Sequence, residues 1–203
     1  LVQMSELMGS GRFTVAEMGA GQGFLCLDIL SWARRSAPAF YRRLDYRLFD
    51  CSRYLTGEQQ ERLARYEGEG KVSWGSAKEL ESADGTIEGC ILSNELVDAF
   101  PVHRVVLREG MLREIYVGER DGCFVEIPGD PSSPAIGEYF AADRIELMEG
   151  QAAEANLRAC EWMRALGHAL RRGFVLTIDY GWPAEELYSP SRSAGTLMCY
   201  HRH

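Results

Sequence analysis

The run Glu17-Met18-Gly19-Ala20-Gly21-Gln22-Gly23 carries the densest chemistry in this chain. Glycines without a Cβ let the backbone come close to a ligand, with N–H groups free to meet an anionic group at a helix start. The carboxylate of Glu17, two residues ahead of the first glycine, can hold a ligand's ammonium, directly or through water. A second polar run is Ser93-Asn94-Glu95-Leu96-Val97-Asp98-Ala99-Phe100-Pro101-Val102. Asn94 offers a carbonyl acceptor and Glu95 a carboxylate, and helix capping by Asn94 is the plainer use of the same residue. Asp50 ends an apolar stretch, where an acid can accept hydrogen bonds from ribose hydroxyls or cap a helix. Trp74 with Ser76 and Ala77 can wall an aromatic base, although Trp74 could equally belong to the core.

The elements around these residues decide what the glycines are for. Arg12-Phe13-Thr14-Val15-Ala16 reads as a buried strand, and Phe24 to Trp32 places apolar residues at helical spacing. Strand, glycine turn and helix present backbone N–H groups to nucleotides in α/β folds. A dinucleotide fingerprint requires G-x-G-x-x-G, whereas here the third glycine is Gly23 and Phe24 follows it. That disfavours a nicotinamide-dependent oxidoreductase. The G-x-G-x-G form with its preceding acid resembles the S-adenosylmethionine (SAM) site of class I methyltransferases. The expected cofactor-binding set is Glu17, Gly19, Ala20, Gly21, Gly23, Asp50, Cys51, Ser76 and Asn94.

Further along, the spacing predicts a first helix from Val2 to Met8 and a long helix from about Gly21 to Ser36, stopped before Pro38. A strand is expected over Asp45–Asp50, and a charged helix capped by Thr56 runs through Tyr66. Lys71–Trp74 and Thr86–Ser93 read as third and fourth strands. His103–Leu107, Leu112–Val117 and Cys123–Ile127 are strand-like, with turn signals at Glu109-Gly110 and Asp121-Gly122. A Pro/Ser-rich loop follows over 128–134, then a long helix from Gln151 to Arg172 and a buried strand over Gly173–Gly181. Alternating strands and helices indicate an α/β, Rossmann-like, doubly wound and mostly parallel sheet. The antiparallel stretch, about 102–130, is expected as an insertion in a single domain spanning 1–203.

Four motifs, EMGAGQG, SNELVDAFPV, LTIDYG and YSPSRSAGTL, resemble those of the MidA-type methyltransferases from about Met4 to His203. That family includes a mitochondrial complex I assembly factor that symmetrically dimethylates an arginine. The resemblance implies a SAM-dependent protein arginine methyltransferase. Glu95 and Asp98 would orient the guanidinium, aided by Asn94, with Asp179 and Tyr180 lining the same edge. Asp50 stands where the family usually has Glu, which keeps the ribose role. The family's N-terminal segment and its portion beyond the GTL motif are expected to be missing, which leaves the sheet incomplete. A SAM-fold assembly factor with little or no catalysis is the competing expectation, supported by the antiparallel insertion as a docking surface. No general base is evident: His201 and His203 stand at the very end, and either could be a surface residue.

Composition narrows the classes further. The chain has 203 residues, 46% of them hydrophobic, enough for one sizeable core. No apolar run approaches the 18 or so residues of a membrane span. A formal net charge of −8 argues against a broad nucleic-acid-binding face and suits a cationic partner. The six cysteines are scattered without metal-ligand spacing, as expected of reduced thiols. The resemblance implies a protein substrate and residence in the cytoplasm of a bacterium or the mitochondrion of a eukaryote, and a homodimer is compatible with it.

Overall fold

β1 (Phe13–Met18) is buried at all of its residues because parallel strands flank it on both edges. Such a strand meets helices on both faces and so reads as a near-continuous apolar run. In the computed structural model, which describes residues 1–199, β1 lies at the centre of the first of two compact units. That unit comprises 1–99 and 161–179.

In chain order the first unit contains α1 (Val2–Leu7), β1, α2 (Phe24–Ser36), α3 (Pro38–Arg43), β2 (Leu44–Asp50), α4 (Arg53–Gly68), β3 (Val72–Ser76), α5 (Ala77–Glu81) and β4 (Ile87–Asn94). The strands after it are β5 (His103–Arg108), β6 (Met111–Arg120), β7 (Cys123–Gly129) and β8 (Ala152–Ala155), which belong to the second unit, and β9 (Leu170–Ile178), which returns to the first. The parallel sheet runs β3-β2-β1-β4-β9. Registers such as Met18↔Phe49 and Met18↔Ser93 bring the carboxyl ends of β1, β2 and β4 level at one edge. Phe13, Leu30, Leu48 and Leu63 are fully buried in its core. Each such side chain contributes about 1.5–3 kcal/mol through removal from water.

The second unit is built on an antiparallel sheet ordered β7-β6-β5-β8, joined by α6 (Pro134–Ala142) and α8 (Ala184–Leu187). Glu109-Gly110 and Asp121-Gly122 all have positive φ, the signature of two-residue hairpin turns that match strand twist. Its core gathers Val105, Ile136, Phe140, Ala153 and Ala155, with Tyr188 edge-on to Phe140 at 5.5 Å between ring centroids.

Local physics moves several boundaries. Gly19, Gly21 and Gly23 all have positive φ, so α2 starts at Phe24 and not at Gly21. Pro38 does end α2, but it also opens α3, where its missing N–H costs nothing. The cap of α4 is Ser52, whose hydroxyl accepts from Leu55 N–H at 3.3 Å, and Thr56 lies within the first turn. The expected helix over 151–172 divides. Ala152–Ala155 alternates in burial and pairs with β5 as β8, and Asn156 then accepts from Ala159 N–H at 2.9 Å to start α7 (Leu157–Ala169). The 128–134 loop is shorter than expected, since β7 runs to Gly129 and α6 starts at Pro134.

Candidate functional site

Every residue singled out for the glycine turn lies at the carboxyl end of β1. Gly19 N–H donates to Phe49 O at 3.1 Å, tying the turn to β2, and Gly23 N–H donates to Ala20 O at 2.8 Å. Gly23 sits in the left-handed region (φ 80°) as the residue before α2, a conformation that favours glycine. A side chain on Gly21 (φ 55°) would meet nothing within 4 Å, so open space lies over that point of the turn.

Glu17 is 2% exposed, and its Oε2 accepts the Tyr46 hydroxyl at 2.6 Å. Burial pushes its carboxyl above the usual range, and the Tyr46 hydrogen bond only partly offsets that. Burial and then Glu17 push the Cys26 thiol far up, so Cys26 is a core filler. Among the described residues no basic side chain is hydrogen-bonded to the Glu17 carboxyl, which suits it to receive a cationic ligand group.

Asp50 ends β2. Its Oδ1 accepts Ser52 N–H at 2.9 Å and its Oδ2 accepts Gln59 Nε2–H at 3.2 Å. The bond from Ser52 N–H is an Asx turn that leads into α4. Cys51 is exposed beside it. Trp74 is half-buried, and its indole N–H donates to Gln59 Oε1 at 3.1 Å. At the end of β3 the Ser76 hydroxyl accepts Glu79 N–H and its N–H donates to Glu79, a capping box that starts α5.

Asn94 is the last residue of β4 and is exposed. Capping of the next turn falls to Asp179, whose Oδ2 accepts Val97 N–H at 2.9 Å and Asp98 N–H at 3.4 Å. That turn is the 3-10 segment Val97–Ala99. Glu95 is exposed, with a left-handed φ of 50° and its N–H donated to Ile178 O at 2.9 Å. Two backbone-fixed carboxylates, Glu95 and Asp98, thus project from the loop after β4.

The structure therefore brings Glu17, the glycines, Asp50 and Trp74 to one sheet edge, with Asn94, Glu95 and Asp98 on the loop after β4. Sequence reasoning missed Gln59, which is buried at the meeting point of three of these elements. It also missed the capping role of Asp179. In the second unit it missed His103 Nδ1, 2.7 Å from Glu114 Oε1. Burial pushes Glu114 up, but bonds from His103, Ser132 N–H and the Tyr116 hydroxyl outweigh it and bring its pKa down to about 2. The GTL motif is held there too, with Thr196 N–H and hydroxyl both donating to Glu154 Oε2 at 2.8 and 3.0 Å. His201 and His203 lie outside the described residues. Among the described residues no cluster of His, Cys, Asp and Glu could hold a metal ion, and no helix is long and apolar enough to cross a membrane.

Residues 1–203 match the family described as "Putative S-adenosyl-L-methionine-dependent methyltransferase". A crystal structure of a COG1565 superfamily member from Burkholderia thailandensis, bound to S-adenosyl-homocysteine, superposes with a TM-score of 0.81 at 31% identity. The match covers 98% of this chain and 50% of that one. A native crystal structure of a COG1565 superfamily protein from the same organism gives a TM-score of 0.80 at 31% identity, covering 98% of this chain and 52% of that chain. This chain thus spans about half the length of these relatives. No curated protein matches it. On the family match over its whole length, the chain belongs to this methyltransferase family.

Proposed function

We propose that the chain binds SAM across the carboxyl edge of its parallel sheet and methylates an arginine side chain of a protein partner, in the assembly of respiratory complex I. The observation that carries the cofactor half is the β1–glycine turn–α2 unit, with buried Glu17 behind it and Asp50 at the end of β2. The S-adenosyl-homocysteine bound to the Burkholderia thailandensis relative supports the same reading. The open space over Gly21 and the buried acid fit a ligand with a carboxylate and an ammonium group.

In this reading Glu17 holds the ammonium, the N–H groups at the start of α2 face the carboxylate, and Asp50 accepts from the ribose hydroxyls. Trp74 walls the base. When bound, SAM supplies an electrophilic methyl carbon on a sulfonium. Glu95 and Asp98 orient the guanidinium by charge-assisted hydrogen bonds, so that a nitrogen lone pair faces that methyl in line. The C–S pair stays on sulfur, and the nitrogen gives up one proton to water. Holding nucleophile and methyl near contact is worth up to about 7–11 kcal/mol in well-oriented systems. The net charge of −8 favours a cationic protein segment as the acceptor.

The test is calorimetric titration with SAM and S-adenosyl-homocysteine, with NAD as the control, followed by methyl transfer to arginine-bearing peptides. Micromolar binding of the SAM pair with none of NAD is expected, and binding of NAD instead would overturn the reading. A second reading, assembly factor without transfer, is favoured by the β6–β7 hairpin, where Val117 and Phe124 are 75% and 87% exposed. SAM binding with no transfer to any peptide, together with tight partner binding, would select it.

A further inference from the structure

One fully buried polar side chain in the first unit has been used by no ligand-binding reading. Gln59, on α4, is 0% exposed. Its Nε2 donates to Gly21 O at 2.8 Å and to Asp50 Oδ2 at 3.2 Å. Its Oε1 accepts the Trp74 indole N–H at 3.1 Å. An amide has two N–H donors and a carbonyl, and here both donors and the carbonyl are engaged. The amide orientation is fixed by its neighbours. A flip would set its oxygen against two acceptors and its NH2 against an indole that only donates. Each of those three partners sits on a different element: the turn after β1, the end of β2 and β3.

Neighbours on α4 press on the same turn. Arg62 NH1 donates to Gln22 O, and its guanidinium lies over the Phe24 ring, 4.0 Å from the centroid. A side chain on Gly23 would come within 3.3 Å of Gln59 Cγ and 3.4 Å of Leu63 Cδ1, so helix and turn are in close contact there. One face of α4, at spacings of three and four residues, therefore braces the glycine turn. Gln59 is the only one of the three that also reaches Asp50 and Trp74.

We infer that Gln59 is a positioning residue for the nucleoside half of the SAM site. It holds the Gly21 carbonyl, one oxygen of Asp50 and the Trp74 indole in a single arrangement before ligand arrives. This rests on the SAM reading above. With Oδ2 held by Gln59, the Asp50 carboxylate has a fixed plane, and the ribose meets a preset acceptor. Preorganisation of this kind raises affinity by removing the ordering that binding would otherwise require. It predicts that damage at Gln59 appears in nucleoside recognition and not merely in stability.

The experiment is titration of S-adenosyl-homocysteine and of 5′-methylthioadenosine, which lacks the amino-acid half, into wild type, Gln59→Leu and Gln59→Glu. Circular dichroism and melting accompany each titration. Gln59→Glu keeps size and shape but sets carboxylate oxygens against Gly21 O and Asp50 Oδ2. Both ligands should bind it about tenfold or more weakly at pH 8, a loss of about 1.4 kcal/mol. Part of that affinity should return as pH falls and the introduced acid regains a donor proton. A purely structural role would lower the melting temperature and leave Kd unchanged well below it, with no pH-dependent return. Wild type that binds neither ligand overturns the SAM reading itself. Wild-type binding with both variants within twofold of it overturns the role of Gln59 alone. Should Gln59→Leu fail to fold, Gln59→Glu and its pH profile decide the matter.

Discussion

Glu17→Gln should make the protein more stable and a poorer SAM binder at once. Glu17 is 2% exposed, and among the described residues its carboxylate accepts a hydrogen bond only from the Tyr46 hydroxyl, at 2.6 Å. Burial raises its pKa, so the folded state holds a proton that the unfolded chain releases at lower pH. Stability from the protonated carboxyl is complete below the unfolded value, about 4.3. It is lost as pH rises through the raised folded value. Each pH unit between the two values removes about 1.4 kcal/mol. Glutamine keeps an oxygen for Tyr46 and has no charge to desolvate. At pH 8 we therefore expect Glu17→Gln to gain about 1 kcal/mol or more in unfolding free energy, comparable to one hydrogen-bonded polar group. The two proteins should converge below about pH 5. Urea denaturation from pH 5 to 8 reads this directly, and with m of about 1–3 kcal/mol/M the midpoint should rise by a few tenths of a molar or more. Calorimetry on the same samples should show weaker S-adenosyl-homocysteine binding, because the ammonium loses its carboxylate. Equal pH slopes for the two proteins, or a variant less stable at pH 8, would refute the buried-charge argument.

Other perturbations test the remaining parts. Glu95→Gln should keep S-adenosyl-homocysteine affinity and lose methyl transfer in a turnover assay; unchanged turnover removes Glu95 from the chemistry. Glu95→Gly should raise stability by about 1 kcal/mol, since a left-handed φ of 50° costs a non-glycine residue that much. Asp179→Ala strips the acceptor from Val97 and Asp98 N–H and should cost about 1 kcal/mol by denaturation, with a larger fall in turnover than in cofactor affinity. Glu114, lowered to about 2, gives stability that is present above its unfolded value and lost as pH falls toward 2. In Glu114→Gln that acid-side loss should flatten in melts between pH 4 and 2.

Most of the parallel sheet was legible because its strands carry short apolar runs bounded by glycine, proline or polar residues; β9 departs from this, expected buried over 173–181 and found as Leu170–Ile178 with no residue fully buried. The hairpin turns were legible because Glu109-Gly110 and Asp121-Gly122 carry their conformation in their residue types. The turns at 19–23 and the acid at Asp50 could be read for the same reason, since a few adjacent residues specify them. β8 was not legible. Ala152-Ala153-Glu154-Ala155 has high helix propensity, and pairing with His103–Val106, which lie about 50 residues earlier, overrides it. The capping box of Ser76 was not read either, although Glu79 three residues on is its signature: a hydroxyl at a strand end was read only as a ligand contact.

Gln59 shows why the remainder of the site escaped a reading by motif. α4 is a charged helix with only Gln59, Leu63 and Tyr66 buried, and a glutamine among glutamates and arginines reads as solvent-facing. What buries it lies 38 residues back at Gly21, nine back at Asp50 and 15 ahead at Trp74. None of those separations has a period that local patterning detects. A motif describes what touches the ligand, because those residues sit on one turn or at one strand end. Residues that hold the touching groups in place are selected by the space between elements, and that space exists only once the sheet has formed. For this chain the consequence is specific. In the proposed site the acid, the glycines and Asp50 specify what binds, whereas Gln59 sets whether they meet the ligand already arranged. Under that proposal loss of Asp50 removes a contact, but loss of Gln59 leaves every contact residue present and the affinity still reduced.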